Sequence, residues 1–269
     1  MATMASSVTV KELWIYPIKS CRGISITATK VERRGFEFDR RWMVVNEEGQ
    51  FLTQRTLPRM ALIHVELTAE GPRVSAPDQP PLLLQRNQTP FHSRSVVVFN
   101  DRVEAVDQGD RAAEWFSRFL GIRTRVVYMP DDTNRRVDPE YGQSGDQVSF
   151  ADAYPLLILS EASVDDLNRR LPAPISFRRF RPNILVTGCD PYEEDRWKMI
   201  AIGDVSIEFV KPCERCSVTT VDPDTALRGE QPLTTLAAYR KVDGKIFFAQ
   251  NAIPRRFGTI RVGDRLKIS

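Results

Sequence analysis

The chain has 269 residues, of which 42% are hydrophobic and 27% charged, as is typical of a soluble globular protein with a substantial core. A net charge of +3 is too small to predict nucleic-acid binding, and no apolar run reaches the roughly 20 residues needed to span a bilayer. The length predicts one large domain or two smaller ones. The first twenty residues do not resemble a secretory or transit peptide. Four cysteines, two of them isolated, do not make a disulfide framework, so we expect a cytoplasmic protein with no membrane span.

Alternating apolar and polar residues predict that the N-terminal half consists mostly of β-strands. Turn residues between apolar runs further predict three hairpins. The predicted strands cover 7–18 and 24–32, and the predicted hairpins cover 40–55, 61–78 and 95–109, with turns at Asn46–Gly49, Glu70–Gly71 and Asn100–Asp101.

Two helices and a long loop are predicted in the middle of the chain. Residues 110–121 carry an apolar stripe at helical spacing, with Asp110 as a cap and Gly121 as the stop. Residues 160–171 have Ser160 at the N-cap and arginines late in the helix, as the helix dipole favours. The loop 130–146 between them is long enough to indicate a functional segment or a domain seam.

Strands are predicted again at the end of the chain, over 183–187, 201–210, 245–249 and 259–268. Many short strands with two or three helices predict a mainly β (α+β) fold. We expect a barrel-like β architecture with helices outside it, and not a parallel βαβ sheet.

Cys213 and Cys216 stand in a C-x-x-C spacing within KPCERCSVTTVDPDT, residues 211–225. A structural zinc site needs four ligands, and the two histidines lie far upstream. A thioredoxin-like redox pair would begin a helix, whereas a β-branched run follows here. Simple packing of both thiols is a third interpretation. A fourth is that one thiolate, stabilised by the flanking Lys211 and Arg215, is a single soft ligand of a redox-active metal. Residue chemistry alone leaves these alternatives open.

The segment VKPCERCSVTTVDPDT resembles the signature of the MOSC family, named for the C-terminal domain of molybdenum-cofactor sulfurases. It is most similar to the amidoxime-reducing members and to bacterial reductases of N-hydroxylated bases. The similarity continues in LWIYPIKSCRGISI, GFEFDRRWMVVNEEGQFLTQR, FADAYPLLILSEASVDDLN, FRPNILVTGCDPYEEDRWKMIAIGDV and GTIRVGDRLKI. It therefore covers nearly the whole chain from about residue 8, in the family's order.

The resemblance implies an N-terminal MOSC β-barrel domain over 8–125 and a MOSC domain over 126–269, the latter carrying a few peripheral helices. It also implies a molybdenum pyranopterin cofactor. Cys216 corresponds to the family's metal ligand and catalytic cysteine, while Cys213 is expected to pack beside it. The positions that match the family's cofactor contacts are Lys19, Ser20, Arg40, Arg181 and Asn183.

Neighbouring polar residues are given structural roles. Asp39 is expected to position Arg40 through a salt bridge, and Ser160 to cap its helix. Asp222 is expected to serve a turn before Pro223 at least as readily as the active site.

The implied function is reduction of small N-hydroxylated compounds, such as amidoximes and hydroxylamines, at molybdenum. No haem or zinc is expected in this chain. No iron–sulfur cluster is expected either, because its four cysteines do not form a plant-type cluster pattern. Electrons are then expected from a separate ferredoxin-like or cytochrome b5-like protein, and no nucleic-acid partner is expected. The alternative function is a non-catalytic carrier of the cofactor, or of a persulfide sulfur on Cys216.

Overall fold

The computed structural model describes residues 7–86 and 92–269, and β-strands predominate within them. The strands are β1 Thr9–Ile15, β2 Ile24–Ile26, β3 Ala28–Glu32, β4 Gly35–Phe36, β5 Trp42–Val45, β6 His64–Leu67, β7 Pro72–Ala76, β8 Gln79–Leu83, β9 Ser93–Val98, β10 Asp101–Asp107, β11 Arg125–Tyr128, β12 Leu156–Ser160, β13 Ile184–Thr187, β14 Met199–Ile202, β15 Val205–Glu214, β16 Lys241–Val242, β17 Lys245–Arg256, β18 Gly258–Arg261 and β19 Leu266–Ile268. The α-helices are α1 Asp110–Leu120, α2 Glu161–Arg170 and α3 Leu233–Tyr239. Short 3-10 helices cover Pro58–Leu62, Phe177–Phe180, Glu193–Arg196 and Ser217–Thr220. No helix in the described ranges is both long and apolar enough to cross a membrane.

The largest sheet joins the two ends of the chain. Its strand order is β19-β14-β15-β17-β12-β13-β1-β2, and β16 pairs with β17 outside that path. The pairing of β1 with β13 is antiparallel and aligns Leu13 with Ile184. Both of these side chains are buried in a core with Ile158, Ile207 and Ile260. The first strand of the chain is therefore held by burial of apolar residues against strands from the second half.

A second sheet, in the order β5-β11-β10-β9, is built from the first half of the chain. Helix α1 packs beside it through the aromatic stripe that predicted the helix, and Trp115, Phe116 and Phe119 lie in one core cluster with Trp42. Two three-stranded sheets complete the fold, β18-β3-β4 and β6-β7-β8. The domain limits 8–125 and 126–269 stay a prediction.

The mainly β architecture is confirmed, as are several local predictions. Helix α1 ends where Gly121 adopts a left-handed φ of 75°, a conformation that costs glycine least. The side chain of Ser160 caps α2 by accepting a hydrogen bond from the backbone N–H of Ser163. The prediction that Asp110 caps α1 is wrong, because Gly109 occupies the N-cap position. The carboxylate of Asp110 instead pairs with Arg125 at 2.7 Å.

The sequence patterns did not predict β4, β8, β11, β12, β16, α3 or the four 3-10 helices of the described residues, and several predicted strands have different bounds. Strand β12 is LLILS with every residue buried, so it lacks the alternation that reveals a half-exposed strand. It runs parallel to β13 and α2 connects the two, so one βαβ unit does occur within the otherwise mainly β fold. Strand β11 and helix α3 are only 4 and 7 residues long. The predicted strands over 24–32, 201–210 and 259–268 are each divided between two strands, and β17 continues beyond 249 to Arg256.

Strand β15 carries the cysteine segment to the edge of the sheet. Its pairing with β17 shifts register three times, the last between Pro212 and Glu214. Bulges of this kind bend a strand and redirect its side chains, and they are common next to functional sites. The chain leaves β15 at Glu214 and turns into a 3-10 helix that begins at Ser217.

Candidate functional site

A cavity of about 320 Å³ lies where the end of β15 meets the segments that follow β1 and precede β13. This volume is within the range of sites that hold small molecules or cofactors. Every site residue predicted from the sequence lines it: Lys19, Ser20, Arg40, Arg181, Asn183 and Cys216. The fold thus brings together residues from four separated segments of the chain.

Cys216 occupies the cap position of the 3-10 helix Ser217–Thr220, with extended backbone angles of −120° and 179°. Its carbonyl oxygen accepts hydrogen bonds from the backbone N–H of Thr219 at 3.2 Å and from the hydroxyl of Thr219 at 3.0 Å. These bonds fix the backbone that carries the thiol. The β-branched run after the cysteine pair therefore forms a tight 3-10 turn, and not the start of an α-helix.

The cations near the two thiols differ from the sequence-based expectation. Arg215 donates to the sulfur of Cys213 at 2.9 Å and to the carbonyl of Phe180 at 2.8 Å. The cation whose charge interacts with Cys216 is Arg55, which lines the same cavity. Lys211 instead places its ammonium 4.3 Å from the centre of a tyrosine ring in the loop 130–146.

Cys213 is half-buried, as Cys216 is, and it lines the same cavity. Burial raises the pKa of the Cys213 thiol, and the nearby Arg215 opposes that shift only in part. Its side chain also packs against the core cluster that contains Phe180 and Phe248. A raised pKa disfavours the thiolate that a metal ligand or nucleophile needs. The assignment of Cys216, and not Cys213, as the residue that serves the site stays a prediction.

Lys19 is buried beneath two aromatic rings. Its ammonium donates to the carbonyl of Phe150 at 2.7 Å and to the carboxylate of Asp152 at 2.5 Å. It also lies 5.3 Å from the ring centre of Phe51. Burial lowers the pKa of Lys19 to about 8, although Asp152 acts in the opposite direction. Desolvation acts to raise the pKa of Asp152, but Lys19 and Arg55 outweigh it and hold that pKa below its usual range.

Arg40 is held rigidly from three sides. Its guanidinium pairs with Asp39 at 2.5 Å, as expected, and also donates to the side-chain oxygen of Asn183 at 3.1 Å and to the carbonyl of Arg181 at 3.2 Å. The other oxygen of Asp39 accepts from the backbone N–H of Tyr16 at 2.8 Å. A guanidinium fixed in this way is preorganised, so binding an anion costs it little further entropy.

Asn183 is buried and its hydrogen-bonding groups already have protein partners. Besides Arg40, its side-chain oxygen accepts from the N–H of Leu157 at 3.2 Å, and its amide donates to the carbonyl of Trp14 at 3.2 Å. These contacts tie β1 to β12 and set the position of Arg40. The geometry therefore favours a positioning role for Asn183 at the cavity wall.

Arg181 has the least satisfied guanidinium of the site. Its backbone adopts a left-handed φ of 57° at the end of the 3-10 helix Phe177–Phe180, and its guanidinium stacks 4.2 Å above the ring of Tyr16. Burial lowers the pKa of Arg181 to about 10. Its Nη2 is buried with no hydrogen-bond partner among the described residues. A buried cationic donor without a partner is costly, and an anion bound in the cavity would satisfy it.

Asp222 serves a turn. One carboxylate oxygen accepts from the backbone N–H groups of Asp224 and Thr225, each at 3.0 Å. The other pairs with Arg179 at 2.9 Å. Asp222 is not among the residues that line the cavity.

Sequence reasoning missed Arg55 and Asp152 as members of the site. Both line the cavity and pair with each other at 2.9 Å. Both lie inside segments that carry the family resemblance, LTQR and FADAY, but no spacing links them to Cys216. Only the tertiary contact identifies them.

The protein supplies few metal ligands of its own. No group of three or more His, Cys, Asp and Glu side chains converges on a possible metal position within 7–86 and 92–269. A metal held beside Cys216 would therefore take most of its ligands from another bound molecule.

Comparison with known proteins identifies two domains in the chain. Residues 7–123 match the MOSC N-terminal beta barrel domain, and residues 145–267 match the MOSC domain. Mitochondrial amidoxime-reducing component 1 of Mus musculus is 39% identical over 95% of this chain and 81% of its own length. Mitochondrial amidoxime-reducing components 1 and 2 of Homo sapiens are each 37% identical over 95% of the chain, covering 81% and 82% of their own lengths. The chain belongs to the MOSC-domain family that includes the amidoxime-reducing components.

Proposed function

We propose that this protein is a molybdenum-cofactor-dependent oxidoreductase that reduces N-hydroxylated compounds, such as amidoximes and hydroxylamines. The observation that carries the proposal is the convergence of Cys216 and a group of fixed cationic side chains on one cavity. The names of the relatives, amidoxime-reducing components, support the reaction class. A separate ferredoxin-like or cytochrome b5-like protein would deliver the electrons.

The cavity fits a pyranopterin cofactor with its phosphate. Arg181 would bind the phosphate through its unpaired Nη2 donor, while Lys19 and Arg40 add positive charge and Ser20 adds a hydroxyl. Asn183 would keep Arg40 aligned. Because these side chains already hold fixed positions in the cofactor-free chain, little conformational entropy is lost on binding.

Cys216 would be the only protein ligand of the molybdenum. Its soft sulfur suits a redox-active metal, and Arg55 lines the same cavity. When bound, the cofactor would supply the two-electron exchange by which the N–O bond is cleaved.

Metal analysis of cysteine variants tests the proposal. The wild-type protein, purified from a host that makes the cofactor, is expected to contain nearly one molybdenum per chain. We expect Cys216→Ala to lose most of the metal and all reduction of benzamidoxime by an artificial electron donor. Cys213→Ala should keep most of both. Cys189→Ala is the matched control, since this cysteine does not line the cavity.

The outcomes separate the competing assignments. Loss of molybdenum from Cys213→Ala, with a silent Cys216→Ala, would show that the wrong cysteine has been chosen as ligand. Fully loaded protein that turns over no N-hydroxylated compound would favour the carrier function. The cytoplasmic location rests on the sequence alone and stays a prediction, which fractionation of the native cell tests.

A further inference from the structure

Asp138 places a carboxylate on the wall of the cavity that contains Cys216, and the proposed cofactor binding does not use it. The residue lies in the long loop between β11 and β12. One of its carboxylate oxygens accepts a hydrogen bond from the backbone N–H of Glu140 at 3.0 Å, which is the only bond that the described residues give to this carboxylate. The second oxygen is left to solvent or to a ligand.

The other two carboxylates on the cavity wall are already compensated. Asp152 pairs with Lys19 and Arg55, and Glu214 pairs with Lys245 at 3.1 Å. Asp138 is therefore the cavity's uncompensated negative charge in the described part of the chain. It lies in the long loop whose length indicated either a functional segment or a domain seam.

The wall next to Asp138 is aromatic. Tyr154 lines the cavity and meets the ring of Tyr141 edge-on, with centroids 6.3 Å apart. Burial raises the pKa of Tyr154 to about 12, and the charge of Asp138 adds to that shift. The negative potential of Asp138 thus reaches the phenol of the cavity wall. The ammonium of Lys211 already faces the ring of Tyr141, so the ring of Tyr154 beside the carboxylate of Asp138 is the part of this wall that suits an aryl group with a positive charge.

We propose that Asp138 makes this enzyme selective for substrates whose reduction produces a cation, namely amidoximes and N-hydroxyguanidines. This inference rests on the proposed function. An amidoxime, R–C(NH2)=N–OH, takes up two electrons and two protons, its N–O bond breaks, and the oxygen leaves as water. The amidine that remains takes a further proton and becomes an amidinium. A hydroxamic acid undergoes the same two-electron cleavage but leaves a neutral amide.

The carboxylate acts on the charge that develops during this reaction. An interaction that is stronger with the developing cation than with the neutral substrate lowers the barrier, whereas equal binding of both would not. Asp138 is exposed at the cavity rim, so solvent screens its charge and the effect is moderate. Substrates whose reduction leaves a neutral product, such as hydroxamic acids, are not stabilised by the charge of Asp138.

Asp138→Asn tests the inference, because asparagine keeps the acceptor for the N–H of Glu140 while it removes the charge. We expect the ratio of kcat/KM for benzamidoxime over benzhydroxamic acid to fall about two- to fivefold, the range measured for exposed ion pairs. Benzamidine should bind the molybdenum-loaded protein more weakly by a similar factor in calorimetry. Asp132→Asn is the matched control, since it makes the same change in the same loop at a residue that does not line the cavity.

An unchanged ratio and unchanged benzamidine affinity in Asp138→Asn would overturn the inference while leaving the proposed function intact. An equal change in Asp132→Asn would also overturn it, because the effect would then come from the loop's overall charge. Failure of the loaded wild-type protein to reduce either compound would instead refute the proposed function.

Discussion

Lys19 lies in the cavity at a cost to the stability of the fold, and Lys19→Met should reveal that cost. Burial lowers the pKa of this ammonium from its ordinary value of 10.5 to about 8. One pKa unit corresponds to about 1.4 kcal/mol, so the charged form costs the folded state about 3 kcal/mol. Methionine removes the charge and fills a similar volume, but it leaves the carbonyl of Phe150 without its donor, a loss of about 1–2 kcal/mol. We therefore expect cofactor-free Lys19→Met to be about 1–2 kcal/mol more stable than wild type at pH 7.

The pH dependence provides a sharper test. Below pH 8 both the folded and the unfolded chain carry the proton, so the full cost is present. Between pH 8 and 10.5 the folded state releases the proton while the unfolded state still binds it, so the wild-type protein gains stability as the pH rises. The advantage of Lys19→Met should therefore shrink across this window.

Urea unfolding from pH 7 to 10 measures the difference in the free energy of unfolding between cofactor-free wild type and cofactor-free Lys19→Met. Lys267→Met, at an exposed position on β19, is the control and should show no such trend. Lys19→Met should also bind the cofactor more weakly than wild type does. The substitution should therefore raise the stability of the cofactor-free protein and lower its affinity for the cofactor. A Lys19→Met protein that is less stable than wild type at pH 7, or a difference that does not vary with pH, would refute this reasoning.

Two further changes test the backbone and the ion pairs around the site. Gly35 has a φ of +98°, and a Cβ there would lie 2.5 Å from the carbonyl oxygen of Pro155, so Gly35→Ala should cost more than about 2 kcal/mol in thermal or urea unfolding. Gly203→Ala, at a φ of +56° with no atom within 4 Å of the added carbon, should cost only about 1 kcal/mol, and equal losses would contradict the steric argument. Asp224→Ala breaks two partly exposed ion pairs with arginines and should cost less than about 1 kcal/mol, an effect that 1 M salt should abolish. A large, salt-independent loss would mean that the loop after Cys216 depends on Asp224 for more than charge.

Local sequence patterns predicted the helix features that depend on residues close together in the chain. The apolar stripe and final glycine of α1 and the serine cap of α2 are decided by residues a few positions apart. Strand β12 could not be found in this way, because burial on both faces removes alternation from LLILS. Helix α3 contains two threonines among seven residues, so packing and not propensity determines it.

The sequence by itself determined which residue types the site would contain. The resemblance around KPCERCSVTTVDPDT indicated Cys216, and the YPIKS, FDRR and FRPN segments indicated the cationic and polar residues that share its cavity. Only the tertiary structure decided how these side chains are used. It left a donor of Arg181 without a partner among the described residues, engaged Asn183 with β1 and β12, and placed Arg55 in the cavity of Cys216. The sequence states the type of each residue. The charge state of a side chain and its unsatisfied hydrogen-bonding groups depend on neighbours that only folding brings close.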